Sequence, residues 1–119
     1  MAAPLFFILF LMPVAVGAFL LFDALVRIEY ERHRRAWEDD GKPYGFFWVP
    51  GESRSFGGIF PSAGGAFARM ACLFSWAFAT PEWLEGEPKG RKALLWYRVL
   101  LLTWHVGLVA LVYLEFTGR

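Results

Sequence analysis

The residue of this chain with the clearest chemical potential is His105. It sits in the apolar run 93–116, ALLWYRVLLLTWHVGLVALVYLEF. A neutral imidazole facing an apolar cavity is the axial ligand of haems and bacteriochlorophylls. A flat macrocycle also needs small residues one turn away. Here Leu101 and Val109 at i−4 and i+4 are bulky, and Gly107 points to another side of the helix. The plainer expectation is a hydrogen bond from His105 to a backbone carbonyl or polar group of a neighbouring helix. Glu29 and His33, at i and i+4, have the spacing of a metal pair. No second helix offers ligands at matching spacing, so no metal site is expected. The single cysteine, Cys72, excludes an intrachain disulfide and a cysteine-cluster metal site. The glycines form neither a GxGxxG nor a GxxxxGK[ST] pattern, and no catalytic constellation is expected.

The elements that carry these residues are apolar and long. Of 119 residues, 57% are hydrophobic and 19% aromatic. The excess is concentrated in segments, which points to lipid. The net charge of +1 provides no field for nucleic acid. Residues 4–22 carry no charge, and the run extends to Val26. A span needs about 20 residues at ~1.5 Å each to cross a ~30 Å hydrocarbon core. Spans over 4–26 and 93–116 are therefore expected, with a modest kink at Pro13. The first run has no basic n-region and no small-residue cleavage site, so it reads as a retained span. Asp23 is expected at the interface, facing headgroups or pairing with Arg27. A helical extension over 27–40 should continue without a break. In it Arg32, Arg34 and Arg35 would lie against anionic headgroups. Small residues form a stripe on each span, Pro13, Gly17 and Ala24 on the first and Thr103, Gly107 and Ala110 on the second. They would let the helices approach closely, with Gly17 and Gly107 at similar depth.

Residues 41–92 connect the spans. The stretch 41–65 is punctuated by glycine and proline but carries Tyr44, Phe46, Phe47, Trp48, Phe56 and Phe60. Rings in such number belong in headgroups or against a partner, and Phe46, Phe47 and Trp48 are the expected docking group. Residues 66–79 are too short to span and are interrupted by Arg69, as in an interfacial or re-entrant helix. Thr80, Pro81 and Glu82 signal the start of another brief helix. Arg98 is expected to snorkel to the interface. Trp96, Tyr97, Tyr113 and Phe116 fit aromatic belts. Eleven of the twelve Lys and Arg residues fall between Arg27 and Arg98, with Arg119 beyond. The positive-inside rule then places the connection in the cytoplasm and both ends outside.

The order of features resembles the universal stress protein B type of two-span bacterial membrane proteins. The likeness rests on layout: a span, then WEDDGKPYGFF, an amphipathic middle, and RKALLWYRVLLL entering the second span. The chain departs from that type at WVPGESRSFGGIFP. The resemblance implies a bacterial inner-membrane location and carries no catalytic residues. The expected fold is an all-α membrane protein: a two-helix transmembrane hairpin, a cytoplasmic aromatic-rich loop and a short interfacial helix. The expected role is that of a non-catalytic accessory or scaffolding subunit, with other integral membrane subunits and lipids as partners and a respiratory or photosynthetic complex as a suitable host. The alternatives are a haem- or bacteriochlorophyll-binding electron-transfer or light-harvesting component acting through His105, and a stress-related protein of the membrane surface.

Overall fold

The computed structural model describes residues 2–51, 54–55 and 60–118. Helix α1 (Ala2–Phe6) passes through a π-helical turn (Phe7–Leu11) into α2 (Met12–Arg32). The π turn answers the demand of Pro13, which lacks an N–H and crowds the carbonyl four residues before it. Met12 donates its N–H to the carbonyl of Phe7, five residues back. After α3 (Arg34–Asp39) come two short paired strands, β1 (Arg54–Ser55) and β2 (Phe60–Pro61). Then follow α4 (Ala63–Phe78), a 3₁₀ turn (Glu82–Gly86) and α5 (Pro88–Thr117). The Ser62 hydroxyl caps α4 by accepting the Gly65 N–H.

The helices beginning at Pro4 and at Pro88 are each long and apolar enough to cross a membrane. Their most apolar windows are only 17% and 0% buried within the protein, whereas the core helix of a soluble domain would be mostly enclosed. They run antiparallel and interlock leucine on glycine. Gly17 lies against Leu100 and Gly107 against Leu11, with a Cβ at either glycine falling 3.1 and 2.8 Å from those side chains. The two glycines therefore sit at different levels, each opposite a leucine rather than each other. Ala24 and Ala110 are exposed, as is Pro13. Thr103 turns its hydroxyl back on the Val99 carbonyl.

The extension after the first long helix is broken, not continuous. His33 leaves the helical region at φ −135°, ψ 55°. The break swings Trp37 inward, where it is fully buried, stacks edge-on with Tyr30 and donates its indole N–H to the Pro43 carbonyl. Helix α3 then ends on Gly41 at φ 92°, a conformation glycine adopts without a Cβ clash. The Gly41 and Lys42 N–H groups close onto the Glu38 and Trp37 carbonyls in a Schellman motif. The core lies at this end of the hairpin. Phe22, Leu25 and Val26 of α2 meet Leu94 and Tyr97 of α5, Cys72 and Trp76 of α4, Trp37 and Leu84.

Candidate functional site

Three groups of residues gather where the connection folds back on the helices. The first is organised by Asp23. Its carboxylate is buried and accepts the Phe46 N–H on Oδ1 and the Phe47 N–H on Oδ2, both at 2.7 Å. Gly45 N–H donates to the Trp48 carbonyl, closing the turn, and a Cβ at Gly45 would collide with the Asp23 carboxylate. Asp23 is thus the anchor of the loop. It neither pairs with Arg27 nor faces headgroups; Arg27 instead lies 3.9 Å from Glu31.

This anchor decides where the rings go. Phe46 stacks on Phe19 at 4.0 Å between centroids, touches Phe22 and lies beneath the Arg69 guanidinium. Trp48 packs on Tyr30 and receives Arg27 over its face. Only Phe47 of the three points outward, 62% exposed. Phe56, and the side chain of Phe60, lie outside the described residues. The loop is held chiefly by its own chain, because two ionic hydrogen bonds and a cation over the ring fix it there.

The second group joins the end of α2 to the start of α5. Glu87 accepts from His33 Nε2 at 2.9 Å and lies 3.3 Å from Arg32. Arg34 stacks over Tyr30 at 3.8 Å and donates to that residue's carbonyl, while Arg35 is exposed. Of the three arginines expected at headgroups, two are thus engaged within the chain. Below them Glu29 is wholly buried, with the Asp40 carboxylate and the Trp83 indole beside it. It lies beyond Val26, where the apolar run of α2 ends. Burial, with Asp40 close by, pushes its carboxyl up to about 10. Burial also raises the Cys72 thiol, which favours an inert, packed cysteine over a nucleophile. Among the described residues no three of His, Cys, Asp and Glu are grouped to hold a metal ion.

The third group ties α4 to α5. Tyr97 is fully buried and donates its hydroxyl to the Leu73 carbonyl, so it belongs to the core rather than to an aromatic belt. Arg98 donates from Nε to the Trp76 carbonyl at 3.0 Å and from Nη2 to Thr80 Oγ1 at 3.2 Å. These bonds satisfy the last turn of α4. They also occupy Thr80, and the 3₁₀ turn starts after Pro81 with no side-chain cap.

His105 stands apart from all three groups. It is exposed on α5, and its Nδ1 lies 2.7 Å from the Leu101 carbonyl of its own helix. A carbonyl only accepts, so Nδ1 is the donor in this contact, and the residue's Nε2 side stands on the outer surface of the helix. Compared with family models, curated proteins and solved structures, the chain matches none of them.

Proposed function

We propose that this protein is a non-catalytic accessory or scaffolding subunit of a larger assembly in a bacterial inner membrane. In this reading α2 and α5 form a transmembrane hairpin, and the connection folds over its cytoplasmic end. The observation that carries the reading is the bare apolar surface of the two long helices. Only 17% and 0% of the residues in their apolar windows are buried within the protein, so the hairpin leaves much apolar surface for lipid and for other integral subunits. The buried chemistry serves cohesion: Asp23, Arg98, Tyr97 and Glu87 all join one element to another. Phe47 is the outward ring of the loop and the contact offered to a cytoplasmic-side partner. Extraction in mild detergent followed by native mass measurement tests this. The expected result is a species well above the 13.6 kDa chain, from which Phe47→Ala is depleted while remaining in the membrane. A free chain carrying only detergent would refute the reading.

A second reading rests on the exposed His105, whose ring is oriented by the contact of Nδ1 with the Leu101 carbonyl. A polar ring at mid-span is costly in lipid, and its free nitrogen suits either a polar group of a neighbouring helix or, as neutral imidazole, the central metal of a haem or bacteriochlorophyll. An absorption spectrum of the purified assembly separates these. A Soret or near-infrared band lost in His105→Leu supports ligation, and a featureless visible spectrum supports the helix contact.

A further inference from the structure

An open groove of about 460 Å³ runs along the outer side of α2, flanked by the loop that Asp23 pins. Leu20 and Ala24 line its apolar end, Arg27 and Glu31 its charged end, and Phe47 and Trp48 its flank. The four α2 residues are exposed, and their spacing of three and four puts them on one face. The groove thus passes from apolar to charged over about 16 Å of helix. The apolar run of α2 ends at Val26. In the hairpin proposed above, the groove therefore crosses the level where hydrocarbon gives way to headgroups. Its flank is fixed, since Asp23 holds the Phe46 and Phe47 N–H groups at 2.7 Å and Trp48 packs edge-on against Tyr30.

The charged end carries both signs. Arg27 and Glu31 lie 3.9 Å apart, too far for a hydrogen bond, and their side chains are 57% and 58% exposed. An exposed pair of this kind contributes little and opens readily to a ligand. The Arg27 guanidinium also lies over the Trp48 ring, 5.6 Å from its centre, which holds the cation on the loop side of the groove. A phosphate alone would meet one cation and two carboxylates, Glu31 and Asp23. An ammonium alone would meet the guanidinium. A zwitterion satisfies both charges, and a primary ammonium, unlike a quaternary one, donates hydrogen bonds to a carboxylate.

We propose that this groove binds one phospholipid with a zwitterionic, primary-amine headgroup. Its phosphate lies on Arg27, its ammonium on Glu31 and its acyl chains along Leu20 and Ala24. The inference rests on the membrane hairpin of the proposed function. The test is titration of the full chain in detergent with phosphatidylethanolamine, phosphatidylcholine or phosphatidylglycerol, with bound lipid counted by native mass measurement. One saturable phosphatidylethanolamine per chain is expected, with the other two lipids at least about fivefold weaker. Arg27→Gln with Glu31→Gln should weaken phosphatidylethanolamine binding about tenfold at unchanged circular dichroism. Ala24→Phe fills the apolar end, leaves the charges in place and should have the same effect. Equal binding of the three lipids by folded wild type, a preference for phosphatidylglycerol, or full binding in either folded variant overturns the proposal. A chain that needs detergent yet shows no lipid preference refutes the groove alone. A chain that stays in solution without detergent refutes the hairpin and the groove with it.

Discussion

A carboxyl group wholly out of solvent and beside a second carboxylate, Asp40, makes Glu29 a measurable cost. Its folded value, about 10, lies above the ordinary 4.5. The folded protein therefore holds this proton more tightly than the unfolded chain does. The stability linked to it is complete below about 4.5 and is lost progressively as pH rises toward 10. Glu29→Gln keeps the shape of the neutral acid and removes this dependence. The variant should match the wild type near pH 4 and exceed it at higher pH, the gap widening by about 1.4 kcal/mol per pH unit between about 4.5 and 10. Thermal melts in detergent near pH 4 and near pH 8 check this, and equal differences at both would contradict it. Asp23→Ala removes both acceptors of the 45–48 turn and should cost on the order of 3 kcal/mol. Hydrogen exchange at the Phe46 and Phe47 amides reports the loss directly. The sequence suggested Asp23 as an interfacial charge, whereas its role as the anchor of the loop was not legible there. Its partners are backbone N–H groups 23 and 24 residues away, which no spacing rule connects.

Among the elements, the two long helices could be read from hydropathy because about twenty consecutive apolar residues permit little else. The short helix was also legible, as 66–79, although it starts earlier, at Ala63, where Ser62 supplies the cap. The break at His33 was not legible. No glycine or proline marks it, and the gain comes from tertiary contacts: Trp37 on the Pro43 carbonyl and His33 on Glu87. The glycine stripes were visible, but their register was not, because one glycine fits a leucine as readily as a second glycine. That register makes a prediction. Gly107→Leu drives a side chain into Leu11, already 2.8 Å from a notional Cβ. It should loosen the helix pair by about 1–2 kcal/mol, read as a lower melting temperature in detergent. Ala110→Leu, at an exposed position, should leave the melt unchanged.

At the scale of the whole molecule, the chain measures 53 × 35 × 18 Å. Its long axis exceeds the ~30 Å of a hydrocarbon core, so part of it must project from a bilayer that the helices cross. The packed end, with Asp23, Arg98 and Glu87, also holds most of the basic residues. The proposed arrangement therefore puts this end in the cytoplasm and the other end of the hairpin across the membrane. This orientation is the central claim, since the side on which the anchored loop and the exposed Phe47 ring lie follows from it. Single cysteines at Gly51 and Thr117, both exposed, test it against a membrane-impermeant thiol reagent in a Cys72→Ala background. The account predicts that Thr117→Cys is labelled in intact cells and that Gly51→Cys is labelled only after lysis. Labelling of Gly51→Cys in intact cells would contradict it.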